Sequence, residues 1–160
     1  MMKLKQSSAK VQSFLAERGQ EFIVQQMPAS TRTAKDAAEA IGCRVEQIAK
    51  SLIFKDDESK SAVLIIASGS NQVSLEKVKE QTGMQLGKAD ADFVREKTGF
   101  AIGGVPPVAH TTEIITLLDQ DLQQFNEIWA AAGTPNSVFK LTPEQLGLLT
   151  NGQWLDLAQK

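Results

Sequence analysis

Apolar and polar positions change period several times along the chain, and each change marks an element. Over residues 7–18, Val11, Phe14 and Leu15 recur at helical spacing, which predicts an amphipathic helix stopped by Gly19. Phe22-Ile23-Val24 predicts a short strand, and Met27 to Arg32 a polar loop containing Pro28, Ser30 and Thr31. Thr33 is placed to cap a second helix, with Asp36 in capping-box position, an apolar face of Ala34, Ala37, Ala38 and Ile41, and Gly42 at its end. Residues 48–55 predict a strand, Asp56–Ser59 a hairpin turn, and residues 62–68 a second strand. That second strand is apolar at consecutive positions. Both of its faces are therefore expected to be covered, which calls for helices packed around a central sheet.

The second half continues in the same alternating manner. Gly69-Ser70-Asn71-Gln72 is a loop, Ser74 caps a helix to about Gln81, and Gly83 stops it. Residues 84–87 predict a short strand, and Asp90 opens a helix ended by Gly99. Phe100 to Ala109 holds two glycines and two prolines and is irregular. Residues 112–118 predict a strand, and 121–131 a helix with Phe125, Ile128 and Trp129 on one face. Gly133–Asn136 is a turn before a strand at 137–141, and Thr142-Pro143 start a last helix. Strands and helices are interspersed, but the hairpin excludes a purely parallel sheet. The pattern predicts an α+β protein with a mixed, curled sheet.

Composition narrows the class. The 160 residues suit one domain, 1–160, with one sizeable core. The apolar fraction of 42% and charged fraction of 22% are ordinary globular values. Seventeen basic and nineteen acidic residues leave a net charge of −2, distributed as +2 over residues 1–102 and −4 over 103–160. A chain this near neutrality grips few phosphates, so duplex DNA is not an expected partner. The one cysteine, Cys43, excludes an internal disulfide and a CxxC site, and the one histidine, His110, excludes a His-rich metal site. With no apolar run of signal or membrane-spanning length, the expected location is the cytoplasm, with no membrane partner. There is no P-loop, dinucleotide fingerprint or paired metal-ligand motif, so neither a metal nor a cofactor is expected.

Two features are chemically suggestive. Lys50 shares a strand face with Ile48, Leu52 and Phe54, because side chains alternate. It either snorkels to solvent or stands at a pocket as a cation for a phosphate or carbonyl. Gly103-Gly104-Val105-Pro106-Pro107 is a stiff loop, read either as a structural crossover or as a set of amides, Gly103 to Val105, facing a ligand. His110 follows closely, while Ser68, Ser70 and Asn71 are candidate rim groups after the most buried strand.

Thr33 to Gly42, Gln47-Ile-Ala-Lys50-Ser-Leu-Ile-Phe, Thr98-Gly-Phe-Ala-Ile-Gly103-Gly-Val-Pro-Pro107 and the Gly133-Thr-Pro-Asn136 turn together resemble the YbaK/prolyl-tRNA synthetase-associated editing domain family. The pieces stand in the family's order over roughly residues 20–150; the lysine-bearing strand with a Gly-x-x-x-Pro loop is the specific part. The resemblance implies a mixed, barrel-like sheet surrounded by helices. It implies hydrolysis of the ester joining a wrong amino acid to the terminal adenosine of tRNA. Its implied partners are the acceptor end of mischarged tRNA and an aminoacyl-tRNA synthetase. Carried over to this chain, the family's functional lysine is Lys50 and its pocket loop runs from Gly103 through Gly104, Val105 and Pro106 to Pro107. Lys50 and Gly103 are the expected catalytic positions. Thr31, Ser51, Ser68, Gly69, Gly104, Val105, Pro106, Pro107, His110, Gly133 and Asn136 are expected to contact substrate, although His110 stands where family members differ. The resemblance also implies that substrate groups such as the ribose 2′-hydroxyl assist catalysis. A non-catalytic aminoacyl- or nucleotide-binding module is the alternative reading.

Overall fold

The computed structural model describes residues 6–18, 22–31 and 33–159. Gly19 and Arg32 lie outside them. The elements in chain order are α1 (Gln6–Glu17), β1 (Gln25–Gln26), α2 (Ala34–Ile41), β2 (Ile48–Asp56), β3 (Ala62–Ser68), α3 (Leu75–Thr82), β4 (Leu86–Lys88), α4 (Ala91–Thr98), β5 (Ile115–Asp119), β6 (Ile128–Ala131), β7 (Ser137–Leu141), α5 (Pro143–Thr150) and β8 (Gln153–Leu155). Single turns of 3-10 helix occupy Val45–Gln47 and Gln120–Gln124.

The strands form one mixed eight-stranded sheet in the order β1-β7-β6-β2-β3-β5-β8, with β4 also pairing β2. β2–β3 is an antiparallel hairpin, whereas β2–β6, β3–β5 and β5–β8 are parallel. The sheet is mixed, as its pattern predicts, but it is not closed into a barrel. Every residue of β3 is buried. Leu64 and Ile66 join the large core with Val11 and Leu15 of α1, Val94 of α4 and Leu146 of α5. Val63, Ile65 and Ala67 join a second core with Val78 of α3 on the opposite face. The helices start where local chemistry places them: Thr33, Ser74, Asp90 and Thr142 each accept the backbone N–H of the third helical residue. No helix among the described residues is long and apolar enough to cross a membrane.

Four expectations need correction. Phe22 and Val24 are buried and Ile23 is 70% exposed, so the alternation is present, but this segment is not a strand. The Gln12 side chain takes its backbone groups, accepting from Val24 N–H at 2.8 Å and donating to the Phe22 carbonyl at 2.9 Å. The ladder begins only at Gln25. The predicted strands at 84–87 and 112–118 lie instead at Leu86–Lys88 and Ile115–Asp119. The predicted helix at 121–131 is a 3-10 turn followed by strand β6. Phe125, Ile128 and Trp129 imitate helical spacing, but Ile128 and Ala130 point into the main core and Trp129 packs by α2. Strand β6 bridges β2 and β7, and that pairing overrides the local pattern. The last strand, β8, carries too few residues to announce itself.

Candidate functional site

Strand β2 forks. On one flank it pairs with β6 only at Ile48 and Ala49, and with β4 only from Phe54 to Asp56. The window from 50 to 53 has no ladder partner on that flank among the described residues. Lys50, Ser51 and Leu52 of this window line a cleft of about 490 Å³ together with Ile102, Gly103 and Val105. Its walls come from β2, from Thr33, Ala34 and Ala37 at the start of α2, from Trp129 to Ala131 of β6, and from Thr31, Gly69, Ile102, Gly103 and Val105.

Lys50 stands in this wall, half-buried, with Nζ 3.4 Å from the Gly69 carbonyl. Burial pushes its ammonium below the ordinary lysine pKa, and the buried Asp119 carboxylate offsets part of that effect. Gly69 is obligatory, because a Cβ there would lie 2.2 Å from the Val45 carbonyl oxygen. Behind it, fully buried Asp119 accepts from Ser68 N–H at 3.0 Å, Asn71 Nδ2 at 2.8 Å and Asp121 N–H at 2.9 Å. The Ser68 hydroxyl donates to the Glu46 carbonyl at 2.6 Å. Asp119 thus fixes the loop whose carbonyl receives Lys50. The Ser51 hydroxyl oxygen is buried without a hydrogen-bond partner among the described residues, and Ser51 lines the cleft.

The glycine loop is shaped by its neighbour. Gly103 has φ +94°, a conformation that favours glycine. A Cβ on Gly104 would meet the Thr134 backbone at 2.9 Å. Gly133 N–H donates to the Gly104 carbonyl at 2.9 Å, and Gly104 N–H to the Ala101 carbonyl at 3.1 Å. The Gly104 amide is therefore taken, whereas those of Gly103 and Val105 have no acceptor among the described residues. The turn at 133–136 is itself pinned. Thr31 N–H and Oγ1 donate to the Pro135 carbonyl at 2.6 and 3.1 Å, and Asn136 Nδ2 donates to the Met27 carbonyl at 3.2 Å. Buried Ser137 accepts from Ser8 at 3.0 Å and from the Thr134 hydroxyl at 2.7 Å.

Pro106 and Pro107 are buried, and His110 Nε2 lies 2.7 Å from the Pro106 carbonyl, so that nitrogen carries the proton and donates. Burial lowers the imidazole pKa from its ordinary 6.5, against the Pro106 bond that raises it; Lys10 lowers it further. As pH falls below 6.5, the unfolded chain takes up a proton that the folded state refuses, and stability drops. His110→Gln, which keeps a donor for Pro106, is expected to lessen the loss of urea stability between about pH 7.5 and about pH 5.5. An unchanged loss would assign that sensitivity to other groups.

Among the expected positions, Lys50, Gly103, Thr31, Ser51, Gly69 and Val105 come together in the cleft lining. Ser68, Gly104, Pro106, Pro107, His110, Gly133 and Asn136 lie outside that lining. The bonds and close approaches above make Ser68, Gly104, His110, Gly133 and Asn136 its scaffold. Sequence reasoning did not anticipate Lys35, Trp129 and Ile102 in the lining, or Asp119 behind it. The only signal for Asp119 is an acid closing an apolar strand. Among the described residues the lining holds no carboxylate, imidazole or thiol.

Comparison with known proteins fits this geometry. YwhH of Bacillus subtilis (strain 168), an uncharacterized protein, is 32% identical over 152 residues, covering 93% of this chain and 95% of YwhH. EbsC of Enterococcus faecalis (strain ATCC 700802 / V583), described as a candidate Cys-tRNA(Pro)/Cys-tRNA(Cys) deacylase, is 26% identical over 129 residues, covering 80% of this chain and 78% of EbsC. The crystal structure of a candidate trans-editing enzyme for prolyl-tRNA synthetase superposes with a TM-score of 0.92 at 46% identity, covering 99% of this chain and 100% of that one. The aminoacyl-tRNA editing domain matches residues 28–148, a span that carries the cleft from Thr31 to Val138. The chain belongs to the aminoacyl-tRNA editing domain family.

Proposed function

We propose that this chain, acting as a single domain, is an aminoacyl-tRNA deacylase that hydrolyses the ester of mischarged tRNA in trans. The observation that carries the reading is that half-buried Lys50 lines one cleft with Gly103 and Val105, whose amides have no acceptor among the described residues. An aminoacyl ester is already activated, so the site must orient a water and stabilise the oxyanion formed at the ester carbon. The Gly103 and Val105 amides suit the oxyanion. Lys50 suits the terminal phosphate or the developing charge, and its partial burial strengthens either interaction. With no acidic, imidazole or thiol group among the described lining residues, the proton is best handled by the substrate's own ribose hydroxyl.

Recognition of a single-stranded acceptor end needs few charges, because bases stack and 2′-hydroxyls hydrogen bond. The net charge of −2 suits modest affinity for tRNA, with a synthetase as a source of added tRNA specificity. The test is incubation of the purified protein with tRNAs carrying alanine, serine, cysteine or threonine, alongside an active family member. Clearing of at least one charged species is the expected result. Binding without turnover in every case would replace the hydrolase with a binding module.

A further inference from the structure

One phenylalanine sits where packing does not account for it. Of the seven in the chain, six join a core cluster, and Phe93 of α4 joins none among the described residues. Its partly exposed ring is instead accompanied by two ammonium groups. Lys55 of β2 stands 5.3 Å from the ring centroid, and Lys97, one turn on in α4, stands at 5.9 Å. Neither lysine pairs with a carboxylate among the described residues, whereas Lys77 and Lys140 each do. Asp92 and Glu96, the neighbouring acids of α4, are exposed and join neither of them. The patch also borders the cleft. A groove of about 250 Å³ shares Ser51, Ile102 and Gly103 with it and is lined as well by Val94, the residue next to Phe93.

Two unpaired lysines around one aromatic ring suit a nucleotide strand better than an acidic protein surface. A carboxylate would use the ammonium groups alone. A nucleotide uses both parts: its phosphate oxygens draw the flexible lysines off the ring, and its base stacks on the face they release. A single strand fits better than a duplex, whose bases are already stacked on one another. Resting on the deacylase reading, we infer that Phe93, Lys55 and Lys97 form a platform for the unpaired tRNA strand that leads to the terminal adenosine. The platform holds that strand outside the cleft by one stacked base and its flanking phosphates. It reads no base edge, so it adds affinity to any tRNA and leaves the choice of amino acid to the cleft. A chain of net charge −2 can hold RNA in this way, because the cations needed are few and stand together.

The test needs no turnover. An uncharged RNA hairpin ending in a single-stranded CCA, and the same hairpin cut back to a blunt stem, are titrated by fluorescence anisotropy over a range of salt. Phe93→Leu keeps an apolar side chain but loses the ring, and should bind the CCA hairpin on the order of tenfold more weakly with an unchanged salt slope. Phe93→Tyr keeps the ring and should bind as wild type does, which guards against a merely structural loss. Lys55→Gln with Lys97→Gln should weaken binding and lessen the slope of log K against log salt by about 1, as expected for one or two phosphates of a single strand. Lys77→Gln with Lys79→Gln removes the same charge from α3 and should leave binding near wild type. The blunt hairpin should not distinguish Phe93→Leu from wild type. With a charged tRNA that wild type clears, Phe93→Leu should raise KM and leave kcat unchanged, because it stands away from the ester. The inference is overturned if Phe93→Leu or the Lys55/Lys97 variant binds the CCA hairpin as wild type does, if the α3 variant loses as much, or if Phe93→Leu weakens the blunt hairpin equally. Failure of the deacylase reading shows separately, as wild type that binds the CCA hairpin and clears no charged tRNA.

Discussion

Lys50→Ala is expected to slow deacylation of the tRNA that wild type clears by about 100-fold or more, the scale seen when one donor to a developing anion is removed. The side chain sits half-buried, hydrogen bonded among the described residues to the Gly69 carbonyl at 3.4 Å, so truncation removes a cation from the cleft without dismantling a packed core. Lys50→Met should lose activity to the same extent and yet be at least as stable as wild type. The reason is linkage. Folding lowers the ammonium's pKa chiefly by burying it, so between the lowered value and the ordinary 10.5 the folded state binds fewer protons than the unfolded chain. Stability contributed by this site therefore rises with pH through that window, and below it the buried charge is a net cost. Methionine has no such charge to desolvate. Deacylation rates paired with urea midpoints at neutral and alkaline pH check both halves. Activity retained by either variant would remove Lys50 from the chemistry, and a clearly less stable Lys50→Met would show that the ammonium holds the fold.

Asp119→Ala is expected to cost about 3 kcal/mol of folding stability, because three donors aimed at one fully buried carboxylate lose their acceptor. The damage should not stay local. Ser68 and Asn71 flank the loop whose Gly69 carbonyl receives Lys50, so the cleft wall is expected to loosen with them. Asp119→Asn keeps the volume and one acceptor oxygen and should retain more stability. It also removes the charge that supports the Lys50 ammonium, so the Lys50 pKa should fall further. Urea unfolding measures the first effect, and NMR titration of labelled lysine side chains the second. An Asp119→Ala variant within about 0.5 kcal/mol of wild type, the range of ordinary surface substitutions, would refute the structural role.

What could be read from sequence was what short-range chemistry decides. Thr33, Ser74, Asp90 and Thr142 cap helices because a side-chain oxygen reaches an amide three residues on, and that geometry is local. The β2–β3 hairpin and the double burial of β3 follow from a polar turn and an unbroken apolar run. What could not be read depends on distant partners. β6 is a strand because β2 and β7 flank it, and Phe22–Val24 is not one because Gln12 occupies its backbone. The same holds at the cleft. Lys50 and the glycine loop stand out as an unusual residue on an apolar face and an unusual pair of glycines and prolines. Asp119 looks like any acid at a strand end until the fold brings Ser68 and Asn71 to it.

The forked strand also bears on the order in which the molecule assembles. Closing a long loop costs more entropy than closing a short one, so neighbouring segments pair early and distant ones late. The first partner of β2 is β3, the next segment in the chain, and β4 follows after a single helix. The α2 and Gly69 walls of the cleft also lie near in sequence, whereas those from β6 and from Ile102, Gly103 and Val105 come from much farther along. A chain that has joined only β2, β3 and β4 therefore presents Lys50 with an incomplete cleft, lacking the walls from β6 and the glycine loop. Completion of the cleft is expected among the later events of folding, after the β2–β3 hairpin has formed.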